Sequence, residues 1–295
     1  MLTKKQFDIL TALEKSGAPL TQRELSEKCG MSLGSVNKSL TGLTELGFVN
    51  GGMITPEGIS ALEPYRVKRA VIFAAGFGSR LVPITLNTPK PLIRVKGKRI
   101  IDSLLDALSA ACIEEIYIVR GYLAEQFDQL LYKYPKLKFI DNLGYNEANN
   151  ISSAMIARHL IAGAYVCEAD ILVYNPEVIT KYQYQSNYLG VPVEKTDDWC
   201  LYTDKSGIVT KVSIGGENCN HMYGISYWTV EDGERLAVDI ENVFNSPGGK
   251  ERYWDQVALV HHIGEYKLTV RECSFDDIIE IDTYNELKQI DKTYI

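Results

Sequence analysis

From residue 67 onward the chain alternates between short apolar runs and stretches of helical periodicity, and this alternation restricts the fold more than any other feature. RAVIFAAG (69–76) is continuous enough for a strand buried on both faces. Ile101–Ala110 has helical spacing. IEEIYIVRGY (113–122) reads as a strand and a turn, Leu123–Tyr132 as a helix, and LKFIDN (137–142) as another strand. Ile151–His159 reads as a helix, and AYVCEAD (164–170) as a strand ending in acids, of which 168 and 170 would share a face if the strand continues. The pattern predicts an α/β fold, a mixed and mostly parallel Rossmann-like sheet covered by helices. From Tyr188 the pattern becomes short strands and Gly-rich turns. Ligands of such sheets sit beyond the carboxyl ends of the strands. Gly76, Gly121 and Asp170 fall there.

Residues 1–65 have another grammar. Leu2–Lys15 reads as a helix with Phe7, Leu10 and Leu13 on one face. Thr21 followed by Glu24 is a capping-box pair, and Ser32 caps a third helix that ends near Gly47. FVNGGMITPEG places Asn50-Gly51 at a hairpin turn, and Gly58–Leu62 resumes a helix. We therefore divide the chain into 1–65 and 66–295. The first segment resembles the winged helix-turn-helix domains of transcriptional regulators, which implies DNA as a partner. Its charge argues against that partner. It holds six Lys/Arg and seven Asp/Glu, and Ser32–Glu45, the would-be recognition helix, carries only Lys38 as a basic residue. Phosphate neutralisation supplies most of the affinity for DNA. A docking or dimerisation module is the alternative, and a homodimer stays open.

The net charge of −7 requires local positive groups or a metal at any site for anionic substrates. The six cysteines are scattered without a CxxC pair, which points away from metal knuckles and disulfides. No apolar run is long enough to span a bilayer and no signal peptide is evident, so a cytoplasmic protein without membrane contact is expected.

AAGFGSRLVPITLNTPKPLIRV (74–95) leaves the first buried strand through a glycine turn. Gly76 and Gly78 permit a tight turn whose amides converge on an anion. Arg80 adds a multidentate donor, and Lys90 stands between Pro89 and Pro91, which restrain its backbone. The segment is neither GxxxxGK[ST] nor GxGxxG. It predicts phosphate handling. Two ExD pairs, Glu168–Asp170 and Glu280–Asp282, follow apolar runs and suit Mg²⁺ at the rim of a core. Asp282 is also placed where it could cap the helix that follows.

AVIFAAGFGSRLVPITLNTPKPLIRVKGKRIIDSLLDAL resembles the opening of sugar-nucleotide and choline-type nucleotidyltransferases, with their AAGxGxRL run followed by PKxL. The resemblance implies NTP binding by Ala75, Gly76, Gly78 and Ser79, with Arg80 and Lys90 as the catalytic cations. It implies metal binding by Asp170, Asp282 and Glu280. VRGYLAEQFDQLL and Asn149-Asn150-Ile-Ser-Ser resemble the choline-type branch, which adds Gly121, Tyr122, Asn149, Asn150 and Ser153 to the nucleotide site and implies CTP. Arg120 and Glu168 depart from that branch, where a smaller apolar residue and an aspartate are common.

Trp199 in KTDDWCLYTD, and Tyr253, Trp254 and Asp255 in ERYWDQV, offer aromatic faces and an acid for an acceptor cation. With MYGISYW they are similar to segments of bacterial choline-phosphate cytidylyltransferases, which implies transfer of CMP from CTP to phosphocholine, giving CDP-choline and pyrophosphate. A trimethylammonium would rely on the aromatics and a primary ammonium on Asp255, so 2-aminoethylphosphonate is the alternative acceptor. A sugar 1-phosphate, or a DNA-binding regulator with an inactive transferase domain, are the remaining readings. An acceptor oxyanion needs no protein nucleophile, so the four histidines are expected to be structural.

Overall fold

The computed structural model describes residues 1–294. It divides into two compact units, residues 1–66 with 182–184, and residues 67–181 with 185–295.

In the first unit α1 (Lys4–Ser16), α2 (Gln22–Cys29) and α3 (Leu33–Glu45) precede a hairpin of β1 (Val49–Asn50) and β2 (Met53–Ile54), and α4 (Pro56–Leu62) follows. Each helix starts where a hydroxyl meets the free amides of its first turn: Thr3 for α1, Thr21 for α2, Ser32 for α3 and Thr55 for α4. The Thr21–Glu24 capping box forms as the sequence predicts, and Thr3–Gln6 makes a second one. Gly47 takes a left-handed φ of 75° behind α3. Ile9, Leu10, Leu13, Leu25, Val36 and Leu43 form the buried centre. Tyr184 stacks on Tyr65 at 5.5 Å, and its hydroxyl donates to the Leu2 carbonyl. This is the winged-helix order.

The second unit begins with β3 (Arg69–Ala74). A small hairpin, β4 (Arg94–Val95) and β5 (Lys98–Arg99), leads to α5 (Ile100–Ala110), β6 (Glu115–Arg120), β7 (Lys138–Asp141), α6 (Ile151–Ala157), β8 (Ala164–Glu168) and β9 (Ile171–Val173). The long strands β10 (Asn187–Thr203) and β11 (Val209–Trp228) follow, then α7 (Val230–Asn245), β12 (Thr269–Glu272), β13 (Ile278–Glu280) and α8 (Tyr284–Ile290). The main sheet has the order β12-β10-β11-β8-β3-β6-β7. The pairs β8/β3, β3/β6, β6/β7 and β10/β12 are parallel, whereas β11 is antiparallel to both β10 and β8. β13 pairs with β9.

β3 is buried along nearly its whole length because both faces are covered. Ile72 and Ala70 join Leu104, Leu105 and Leu108 of α5 on one face. Val71 and Phe73 join Ala154 of α6 and Leu236 and Ile240 of α7 on the other. Three local expectations change. In place of short strands from Tyr188 come the two long strands β10 and β11 and the helix α7. Ala124–Tyr132 is a run of 3₁₀ geometry. The strand through AYVC stops at Glu168, and a turn at Ala169–Asp170 separates it from β9. No helix among the described residues is long and apolar enough to cross a membrane.

Candidate active site

The carboxyl ends of β3, β6 and β8 lie side by side, since Ala74 pairs with Arg120 and Phe73 with Glu168. Beyond them open two adjoining cavities, of about 240 and 980 Å³, that share Gly76, Ser79, Arg80, Asp170 and Asp282 in their walls.

The glycine turn forms one wall. Among the described residues no backbone acceptor meets the amides of Gly76, Phe77 or Gly78. A Cβ on Gly76 would meet no protein atom, so its smallness serves the open space. Gly78 has a φ of +63°, and a Cβ there would stand 3.0 Å from Lys90 Cβ. That glycine therefore lets the Lys90 turn close against the loop. Lys90 is 8% exposed, and its ammonium donates to Asp170 Oδ2 at 2.7 Å and to Asp282 Oδ1 at 2.9 Å. Burial alone would lower the Lys90 pKa, but the two carboxylates more than reverse this and raise it above the usual lysine range. Arg80 donates to the same Asp282 through both terminal nitrogens. Despite the cost of burial, these two cations hold Asp282 below the usual carboxylate range.

This differs from the expected metal set. Carboxylate oxygens of Glu168, Asp170 and Glu280 lie within 4.8 Å of one another, while Asp282 turns to Lys90 and Arg80. Nor does Asp282 cap α8, because Thr283 does so with Glu286. Burial, then the charge of Asp170, holds Glu168 and Glu280 well above the usual range. Asp170 Oδ1 is buried without a hydrogen-bond partner. Hard oxygens, mutual repulsion and an orphaned lone pair fit a divalent cation. Glu168, two residues before Asp170 and the last residue of β8, was visible in the ExD spacing but not as a ligand.

The 980 Å³ cavity is also lined by Asn149, Asn150, Ser153 and Ala75. Much of their polarity is used internally. Asn150 accepts from the Trp254 amide at 2.9 Å and donates to Glu168 Oε1 at 3.3 Å. Asn149 accepts from the Asn150 amide and donates to the Glu251 carbonyl. Ser153 accepts from Asn142, a buried amide that sequence reasoning missed. Gly121 is needed for a close approach, since its Cβ would come within 2.7 Å of Tyr145. The Tyr122 hydroxyl donates to the Leu86 carbonyl. Phe77, exposed in the glycine loop, packs between Tyr122 and Tyr145, each at 5.2 Å. An aromatic between two loop glycines was the available signal.

Trp199 and Tyr253 meet edge to face at 6.0 Å and line the same cavity, as do Asp198 and Asp255. Trp254 does not stand with them. It is 1% exposed and packs edge-on against Phe73 in the core, because the chain turns its side chain inward after Tyr253. Asp255 is buried and accepts from the Tyr188 hydroxyl at 2.9 Å. Burial pushes its carboxyl up to about 7, against the lowering effect of the Tyr188 bond.

Residues 69–192 match the model of the nucleotidyl transferase family, and residues 2–50 match that of the MarR family. The 2-aminoethylphosphonate cytidylyltransferase of Lancefieldella rimae is 35% identical over 77% of this chain and 93% of its own length. The choline-phosphate cytidylyltransferase of Streptococcus pneumoniae is 30% identical over 76% of this chain and 97% of its own. A solved structure of the CTP:phosphocholine cytidylyltransferase from Streptococcus pneumoniae superposes with a TM-score of 0.72 at 30% identity, covering 78% of this chain and all of that one. The inositol-1-phosphate CTP transferase from T. maritima shares the fold, with a TM-score of 0.61 at 15% identity.

Proposed function

The chain belongs to the nucleotidyl transferase family, as a bacterial cytidylyltransferase with an N-terminal MarR-like winged-helix unit, and on that premise we propose that it transfers CMP from CTP to 2-aminoethylphosphonate. The observation that carries the choice of acceptor is the stretch of cavity wall formed by Trp199 and Tyr253. Two aromatic rings stand there instead of the three expected, beside the carboxylates of Asp198 and Asp255. A trimethylammonium gains most from aromatic faces. A primary ammonium has protons to donate and gains most from carboxylates. The higher identity to the aminoethylphosphonate enzyme points the same way.

In this reading an oxyanion of the phosphonate attacks the α-phosphorus of CTP. The bond from that phosphorus to the bridging oxygen breaks, and pyrophosphate leaves. The amides of the 76–78 turn and Arg80 hold the departing phosphates, and Lys90 meets charge near the α-phosphate. Glu168, Asp170 and Glu280 would hold a divalent cation, Mg²⁺ in our reading, which supplies charge neutralisation for the converging phosphates. No side chain needs to serve as nucleophile, because the acceptor brings its own.

The test is pyrophosphate release with CTP and, in turn, 2-aminoethylphosphonate, phosphocholine and a hexose 1-phosphate. We expect kcat/KM for the phosphonate to exceed that for phosphocholine by at least about tenfold. The reverse order overturns the acceptor, and no release with any of them overturns the transferase reading.

For the winged-helix unit, the excess of acidic over basic residues supports a docking or regulatory role over DNA binding. Saturable, salt-sensitive binding of duplex DNA in an anisotropy titration would reverse that assignment.

A further inference from the structure

Glu168 closes β8, and β11 runs antiparallel beside it, with Ser226 opposite Val166 and Ile225 opposite Cys167. One further step in that register brings Gly224 to Glu168. On the other side of β11 the pairing slips, because Tyr188 faces Ser226 while Leu189 faces Tyr223. Gly224 and Ile225 are thus a bulge against β10, at the point where β11 leaves β8. Bulges of this kind re-aim side chains next to a site. Gly224 lines the 980 Å³ cavity together with Glu168, Asp170 and Glu280.

Nothing in the local backbone demands a glycine there, since Gly224 is not among the residues of positive φ. The demand comes from one neighbour. A Cβ at Gly224 would stand 2.5 Å from Glu168 Oε2, 2.7 Å from its Cγ and 2.8 Å from its Cδ, and these are its three nearest atoms. The carboxylate lies in the space that any side chain at 224 would fill. Its other oxygen, Oε1, accepts from the Asn150 side chain, through Nδ2. Glu168 is therefore held from two sides, by a bond at one oxygen and by a vacancy in the strand at the other.

We propose that Gly224 is a positioning residue of the metal site, whose missing side chain makes the space in which Glu168 brings its carboxylate to Asp170 and Glu280. This rests on the reading of those three acids as the cation's ligands. With alanine at 224 the Glu168 carboxylate, the flexible end of its side chain, must rotate away, and the cation loses one of its three protein oxygens while the fold is kept.

The experiment measures Mn²⁺ affinity of the full chain by isothermal titration, without CTP or acceptor, so that the readout is independent of turnover. We compare the natural protein, Gly224→Ala, Glu168→Ala and the double variant. Gly224→Ala is expected to weaken Mn²⁺ at least about tenfold, the scale on which groups that orient ligands act. Glu168→Ala is expected to do the same, and the double variant to bind no more weakly than Glu168→Ala alone. If Glu168→Ala binds Mn²⁺ as tightly as the natural protein, the reading of the metal site falls. If Glu168→Ala weakens binding and Gly224→Ala does not, or the two losses add, the role of Gly224 falls by itself. Should Gly224→Ala fail to fold, the double variant decides. With no carboxylate to displace it is expected to fold, and its failure would mean that the strand itself needs the glycine, which overturns the proposal.

Discussion

Arg80 grips Asp282 with two hydrogen bonds, from Nη1 at 2.9 Å and Nη2 at 2.7 Å, although the two residues are 202 positions apart. Lys90 donates to the same carboxylate. Asp282 thus gathers the two cations of the phosphate side, while Asp170, which shares only Lys90 with it, faces the acid cluster. The two aspartates should separate in experiment. Asp282→Asn is expected to lower kcat/KM for CTP at least about tenfold with Mn²⁺ affinity nearly unchanged, whereas Asp170→Asn should lose both. Equal loss of Mn²⁺ affinity in the two variants would return Asp282 to the metal set.

Lys90 is the only buried cation in the cavity wall among the described residues. Lys90→Ala removes a charge where negative charge accumulates during transfer, a loss on the scale of about 3–4 kcal/mol in activation free energy. We expect kcat to fall at least about a hundredfold with the circular dichroism spectrum retained. Turnover within a few-fold of normal at saturating metal would remove Lys90 from the chemistry.

The two tryptophans expected at the acceptor site, Trp254 and Trp199, should behave differently. Trp254 is packed in the core, so Trp254→Ala is expected to cost about 3–5 kcal/mol of stability, read by chemical denaturation. Trp199 stands in the cavity wall, so Trp199→Ala should raise the acceptor KM several-fold and leave stability and the KM for CTP near normal. A stable Trp254→Ala protein with a raised acceptor KM would put the buried ring back in the acceptor site.

Asp255 has a carboxyl raised from the ordinary aspartate value of 3.8 to about 7. A raised value in the folded chain means stabilisation that is complete below the unfolded value and lost as pH rises through about 7. Asparagine keeps the shape and still accepts from Tyr188. Asp255→Asn should therefore gain melting temperature relative to the natural protein as pH goes from about 5 to 8. If Asp255 meets the acceptor's ammonium, the natural protein's acceptor KM should rise as pH falls through about 7, and the variant's should be high throughout. A melting-temperature difference that does not change across that range would contradict the buried ionisation.

The parts that were legible in the sequence are those encoded by local chemistry. Strand runs such as RAVIFAAG and caps such as Thr21–Glu24 act within a few residues, and both form as read. The glycine loop and the Glu168–Asp170 pair come together because the parallel strands β3 and β8 present their carboxyl ends in common, and Lys90 and the Glu280–Asp282 pair reach the same place from the prolyl loop and from β13. What escaped depends on which neighbour a side chain meets. Asp282 and Glu280 are two apart, yet one faces cations and the other acids. Tyr253 and Trp254 are adjacent, yet one is 48% exposed and the other 1%. The spacing was visible, but the turn at Ala169–Asp170 and the inward swing at Trp254 are set by packing of distant segments. Gly224 gave no local sign at all, since its reason lies 56 positions away in Glu168.

β10 starts and β11 ends inside the sheet; between those ends residues 192–199 are mostly exposed or half-buried, and the ribbon returns to the core at Leu201 and Val209. In the proposed reading, the ribbon thus carries part of the acceptor wall, Asp198 and Trp199, while Tyr253 and Asp255 come from the segment after α7. On that reading, substitutions at Asp198 and Trp199 would alter which small cation is welcomed and leave the glycine loop as it is. A lineage built on the proposed plan could change its acceptor by remodelling the ribbon and the segment after α7, without rebuilding the glycine loop.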